Sequence, residues 1–191
     1  MSAVATGIAP DRAWKQERFD QPWVIGDSLN ASIGQGFVLA SPLQLAVMTA
    51  RVATGREVKP RLVRAIDGVP VETPEFADLG LSERNLRVAR RGMDAVINSA
   101  AGTAGKSRIV AEEWRMAGKT GTSQVRNITA AERARGVTRN DQLPWNRRDH
   151  ALFVCYAPFD APKYAVSVIV EHGGGGSAVA APIARDILLY A

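Results

Sequence analysis

Ala117-Gly118-Lys119-Thr120-Gly121-Thr122-Ser123-Gln124-Val125 decides how the rest of the chain is read. The stretch lies within Val110 to Val125, a segment whose residues predict a strand carrying one lysine and two threonines. Its setting follows from what comes after it. Ala151 to Ala157 and Tyr164 to Val170 are rich in Val, Ile, Phe and Tyr, with Pro158 to Lys163 between them, the pattern of a β-hairpin with a longer loop. Beyond a run of glycines, Ser177 to Tyr190 predicts an apolar terminal helix. Between strand and hairpin, Arg126 to Asp149 is a long polar insertion without a strong apolar stripe.

Upstream, Leu43, Leu45, Ala46, Val47, Ala50, Val52 and Ala53 suit a largely buried helix, with Ser41 as N-cap, Pro42 at its first position and Gly55 just past its end. Val58 to Ile66, the turn pair Asp67-Gly68 and Val69 to Val71 predict a short hairpin. A second helix begins at Ser82 and Glu83, with Leu86, Ala89, Met93, Val96 and Ile97 at helical spacing and Arg84, Arg87, Arg90 and Arg91 facing elsewhere. Ala101 to Gly105 reads as a flexible connection, and residues 1 to 27 as an irregular surface wrap anchored by Trp14 and Trp23. Two helices, three strands and a terminal helix define an α+β fold, an antiparallel β-sheet flanked by helices.

The 191 residues are 46% hydrophobic and 23% charged, enough for a globular domain with one core. The net charge of +5 comes mostly from arginine, and Arg133, Arg135, Arg139, Arg147 and Arg148 crowd into the insertion. No RNP pattern, helix-turn-helix signal or zinc-finger spacing accompanies them, so they are read as a solvated basic loop and not a nucleic-acid footprint. Cys155 is the sole cysteine, which excludes an intrachain disulfide and a multi-cysteine metal site; within an apolar strand it reads as buried and inert. Met1 to Pro10 carries no signal pattern, and no window holds the roughly 20 apolar residues of a membrane span.

Acyl transfer on a carboxylate-bearing peptide or β-lactam needs a cation for the carboxylate and hydroxyls that hydrogen-bond it. Lys119, Thr120 and Thr122 supply these, and Gly121 leaves room for a substrate backbone to join the strand edge. Backbone donors near Thr122 can contribute to an oxyanion hole.

Ala117 to Val125 resembles the KTG segment of the penicillin-binding protein 2 family of cell-wall transpeptidases. Three further segments are similar to the same family. They are Gly26-Asp27-Ser28-Leu29-Asn30 through Gly34-Gln35-Gly36 to Ser41-Pro42-Leu43-Gln44-Leu45-Ala46, Asp149 to Phe153 with Tyr156-Ala157-Pro158, and Val170 to Gly174 with Ala181-Pro182-Ile183-Ala184. The resemblance implies part of a serine β-lactamase-like transpeptidase fold and a role in peptidoglycan cross-linking. In such enzymes a serine attacks a D-Ala-D-Ala stem peptide, releases D-Ala and passes the acyl group to an amine, while β-lactams acylate the same serine. It also implies that Lys119, Thr120, Gly121 and Thr122 bind substrate, with Lys119, Thr120 and Thr122 helping to hold its carboxylate and support proton transfer, and with no cofactor. The implied location is the periplasmic face of the bacterial inner membrane for a parent protein, where other cell-elongation proteins are its partners.

The nucleophile motif of that family, Ser-x-x-Lys, is missing from these residues. Ser28 is followed at that spacing by Ala31, Ser32 by Gln35, Ser41 by Gln44, Ser99 by Gly102, Ser107 by Val110 and Ser123 by Arg126. No catalytic residue is therefore assigned. Residues 1–191 are expected to be the C-terminal part of a single transpeptidase domain whose Ser-x-x-Lys and Ser-x-Asn segments lie upstream. The chain is expected to be inactive alone, and the alternative is a non-catalytic module that binds a D-Ala-D-Ala peptide or β-lactam through the KTG strand. Ser28-Leu29-Asn30 fits Ser-x-Asn by letter, but its flanks predict a turn or helix cap. Gly173 to Gly176 lacks the P-loop ending and reads as a flexible connection, and His150 and His172 carry no metal-ligand pattern.

Overall fold

The computed structural model describes residues 6–126 and 128–191. The chain forms two compact units, residues 1–44 and 45–191. In the first, residues 12 to 27 are not irregular, as the sequence predicts, but largely helical: α1 spans Arg12–Phe19 and α2 spans Ile25–Ser32. Residues 1–5 of that predicted wrap lie outside the described residues. Asp11 caps α1 by accepting from the Trp14 N–H at 2.7 Å. The Asp27 carboxylate accepts both from the Val24 N–H at the start of α2 (2.8 Å) and from the Lys15 ammonium on α1 (2.6 Å). Lys15 in turn holds that carboxyl below the usual range. Trp14, Phe19 and Phe37 pack ring against ring with centroids 5.1–5.6 Å apart, which gives this short segment an aromatic core. Ser28, Leu29 and Asn30 sit inside α2 and not in the predicted turn or cap.

α3, Pro42–Thr54, starts and stops where the residues predict. The Ser41 N–H donates to Gln44 Oε1 (2.8 Å) and the Gln44 N–H to Ser41 Oγ (3.3 Å), a reciprocal cap, and Gly55 takes φ +72°. The small hairpin is shorter than predicted, with β1 at Ala65–Ile66 and β2 at Val69–Pro70. α4, Glu83–Asn98, buries Leu86 and Ile97. The turn after it is packed, not flexible: Ala104 is 2% exposed and its N–H donates to the Val96 carbonyl at 2.9 Å.

β3 (Ala117–Ser123), β4 (His150–Ala157) and β5 (Tyr164–Val170) form an antiparallel sheet in that order. Within Val110 to Val125 the strand is confined to β3 and is preceded by a 3-10 turn at Glu112–Trp114. The register places Lys119 opposite Val154, Gly121 opposite Leu152 and Ser123 opposite His150. Because side chains alternate across a sheet, Ala151, Phe153, Cys155 and Ala157 share one face. That face is buried with Ala180, Ala181, Ala184 and Leu188 from the end of the chain, where α6 spans Ala181–Tyr190. The alanine row on α6 brings its axis close to the sheet. On the other face Tyr156 and Ala117 pack with Ala53 of α3 and Met93 of α4. The predicted start of the last helix, at Ser177, falls in a single π turn, Gly176–Ala180, that leads into α6.

The insertion is ordered by polar contacts. Its short helix α5, Ala130–Arg135, is capped by the Thr129 hydroxyl, and the Arg126 guanidinium grips both oxygens of Glu132 at 2.7 Å. Asn140 exchanges two hydrogen bonds with Asp149, at 2.9 and 3.1 Å. Asn127 of the predicted insertion lies outside the described residues.

Candidate functional site

Lys119, Thr120, Gly121 and Thr122 are consecutive on β3, and among the described residues β4 is the only strand paired with it. β3 is thus an edge strand with one side open to an added backbone. Register divides the four residues by face: Lys119 and Gly121 lie with Val154 and Leu152, while Thr120 and Thr122 lie with Phe153 and Ala151. A cation on one face and two hydroxyls on the other meet in only one place, along the free edge. A group that uses all three must therefore lie in the plane of the sheet beside β3, where a further strand would run.

The Lys119 side chain is exposed, and its ammonium donates to the Thr120 carbonyl at 2.7 Å. An ammonium has three donors, so two remain for a ligand. Thr120 Oγ1 lies 3.3 Å from Thr103 Oγ1, which belongs to the turn after α4. The sequence offers no local sign of this partner, since Thr103 is seventeen residues away in a stretch read as a linker. α4 further steadies the base of the strand: Asn98 Nδ2 donates to the Met116 carbonyl at 3.0 Å, and Arg115 forms a two-point pair with Asp94 at 2.8–2.9 Å. That pair keeps the Asp94 carboxyl low and raises Arg115.

The glycine run after β5 is a close approach, not the predicted flexible connection. A Cβ on Gly176 would stand 2.2 Å from the Leu152 carbonyl oxygen and 2.5 Å from that of Gly121. The start of the π turn therefore lies directly on the β3–β4 backbone beneath Gly121. A Cβ on Gly121 itself would come within 3.2 Å of Leu152 Cβ, so the small residue also keeps the Lys119 face shallow.

His150 and His172, far apart in sequence, come together at the far end of the sheet with ring centroids 4.7 Å apart. The His172 N–H donates to His150 Nδ1 at 2.9 Å, and His172 Nδ1 lies 2.9 Å from the Arg148 carbonyl oxygen. These contacts tie the end of the insertion to the sheet. No group of three or more His, Cys, Asp or Glu side chains that could hold a metal ion occurs among the described residues. Cys155 is fully buried, and burial pushes its thiol up to about 12. Among the described residues no helix is long and apolar enough to cross a membrane.

Residues 4–189 match the family described as penicillin binding protein transpeptidase domain. The chain belongs to that family. Among similar proteins, the peptidoglycan D,D-transpeptidase MrdA of Haemophilus influenzae is 40% identical over 95% of the chain, and MrdA of Escherichia coli K12 is 35% identical over 96%. The chain spans 28–29% of the length of these two relatives. Of solved transpeptidase structures, Pseudomonas aeruginosa PBP2 in complex with WCK 5153 superimposes with a TM-score of 0.78 at 36% identity, covering 100% of this chain and 39% of that one. Helicobacter pylori PBP2, in its complex with MreC, gives 0.77 at 33% identity, covering 97% of this chain and 31% of that one. The α+β architecture and the resemblance to penicillin-binding protein 2 are thereby both established.

Proposed function

We propose that this chain forms the carboxylate-binding wall of a peptidoglycan D,D-transpeptidase site that works through a serine acyl-enzyme. The observation that carries the proposal is Lys119-Thr120-Gly121-Thr122 on the free edge of β3, in a chain of the penicillin-binding transpeptidase family. A peptide ending in D-Ala-D-Ala adds to β3 as an antiparallel strand. Its terminal carboxylate meets the Lys119 ammonium from one face and the Thr120 and Thr122 hydroxyls from the other. A β-lactam carboxylate takes the same place.

No serine in the 191 residues has lysine three positions on. In this proposal the attacking serine and its lysine come from the preceding part of a longer parent, and residues 1–191 are the C-terminal portion of one domain. The face that carries Lys119 also holds the half-buried Leu152 and Ile169, apolar side chains suited to packing beneath that part. The parent acts at the periplasmic face of the inner membrane, and the Helicobacter pylori PBP2–MreC complex is the precedent for elongation partners.

Calorimetry with an acetylated peptide ending in D-Ala-D-Ala tests the binding role. Saturable binding is expected, lost when the terminal carboxylate is amidated and at least about tenfold weaker for Lys119→Ala, the usual worth of a charged hydrogen bond. Equal affinity of wild type and variant would overturn the assignment. Fluorescent penicillin is expected to leave no covalent label on this chain; a stable adduct would place a nucleophile among its own serines. The open edge of β3 would serve equally in a second reading, a module that binds without acylating. An in-frame Ser-x-x-Lys encoded upstream of Met1 decides for the enzyme, and its absence decides for the module.

A further inference from the structure

The arginines of α4 fall into two groups. Arg90 is committed within the fold: its Nε donates to the Val52 carbonyl at 2.8 Å and its guanidinium pairs with Glu83 at 3.0 Å. Arg84, Arg87 and Arg91 are exposed and, among the described residues, unpaired. At positions i, i+3 and i+7 they share one face of the helix, where like charges one turn apart repel.

Arg87 and Arg91, but not Arg84, line a hollow of about 450 Å³ between α4 and the loop that joins β4 to β5. The acidic residues of α4 on the same wall are taken. Glu83 holds Arg90, while Asp94 accepts from Arg115 with both oxygens at 2.8–2.9 Å and from Asn98 at 2.7 Å. Asp160, on the loop side of the hollow, is exposed and forms no ion pair among the described residues. Two guanidiniums therefore face one cavity without a counter-ion from the chain.

The surroundings decide which anion fits. Arg87 and Arg91 are one helical turn apart, about 5–6 Å between Cβ atoms, so both forks can close on a single group. A carboxylate has two oxygens and one charge, which one fork satisfies. A phosphate presents three oxygens and a charge of roughly −1.5 to −2, which matches two forks. Asp160 on the far wall repels an extended polyanion and confines the negative group to the α4 side, and Ala53, Phe159 and Pro162 add apolar wall beside it.

We infer that this hollow binds a phosphate group through Arg87 and Arg91, carried by a lipid headgroup or by a soluble phosphate. The β4–β5 loop lies at the end of the sheet opposite Ser123 and His150, so the site is separate from the peptide-binding edge and does not rest on the function proposed above.

Amide chemical-shift mapping of the 191-residue chain with inorganic phosphate, at fixed ionic strength, tests the site. Saturable shifts are expected in residues 83–94 and 158–163. Binding is expected to be about tenfold weaker in Arg87→Gln and in Arg91→Gln, as loss of one charge-assisted contact implies. Arg84→Gln removes the same charge from the same face outside the hollow and is expected to bind phosphate as wild type does. An unchanged shift pattern in β4 is the check on folding in all three variants. Sedimentation with phosphatidylglycerol vesicles, against phosphatidylcholine vesicles, distinguishes the sources. Co-sedimentation lost in Arg91→Gln and kept in Arg84→Gln assigns a lipid headgroup, and phosphate binding without co-sedimentation assigns a soluble phosphate. Absence of saturable phosphate shifts, or equal weakening by all three variants, overturns the site.

Discussion

Lys119 and the threonines that follow it face opposite sides of a sheet, and only an edge strand lets one ligand touch both. That division explains why residue types alone could suggest a carboxylate site here while its geometry stayed hidden. Strand alternation could be counted from the sequence, but which edge stayed open depended on the pairing of β3 with β4 alone. Thr103 and Gly176 were invisible for the same reason, since each reaches the site only through a turn packed on it. Gly176→Ala forces a methyl group to within 2.2 Å of a backbone oxygen, so the π turn or the β3–β4 ladder must shift. A loss of about 1–3 kcal/mol is expected in urea unfolding, the range seen when a close-packed site is overfilled, together with weaker binding of the D-Ala-D-Ala peptide. Unchanged stability would show that Gly176 has room the backbone does not provide.

Among the elements, those with regular apolar periodicity were legible and those held by polar contacts were not. α3 and the β4–β5 hairpin lie close to where their residues predict, because Ser41 and Gln44 cap the one and long runs of Val, Ile and Phe mark the other. α1 and α2 are eight residues each, with Pro22 between them and Gly26 inside the second, and are held by Asp11, Asp27 and Lys15 more than by an apolar stripe. The insertion likewise owes its order to the Arg126–Glu132 pair, which pulls the Glu132 carboxyl from its ordinary 4.5 to about 2. A carboxyl lowered by folding stabilises fully above its unfolded value and ceases to as pH falls through its folded one. The protection of amides in residues 128–149, taken against their intrinsic exchange rates, is therefore expected to fall between about pH 4.5 and 2 while that of β4 and β5 holds. In Glu132→Gln the loss of protection is expected already at neutral pH; protection independent of pH in wild type would contradict this. Ser41→Ala is expected to cost about 1 kcal/mol by urea unfolding, the usual worth of an N-cap.

At the scale of the molecule, the three-stranded sheet buried against α6 is the frame that presents β3. Phe153 is fully buried at its centre, among Ala180, Ala181, Ala184 and Leu188. Phe153→Ala is expected to lower stability by about 3–5 kcal/mol, the range for emptying an aromatic core site. Cys155 on the same face reports on this core, because a buried thiol raised to about 12 should resist thiol reagents at pH 8 until the sheet opens. The sequence showed the helix order and the hairpin, and through them the α+β class. It could not show that residues 1–44 and 45–191 form separate compact units, because the helical spacing around Gln44 continues unbroken across that boundary.

The central claim is that a peptide carboxylate is held at the free edge of β3. Its most direct test is amide chemical-shift mapping of this chain during titration with acetyl-D-Ala-D-Ala. Saturable shifts concentrated at residues 119–123 and at Thr103, absent when the peptide ends in an amide, are the predicted result. Shifts centred elsewhere, or the same shifts from the amide, would contradict it.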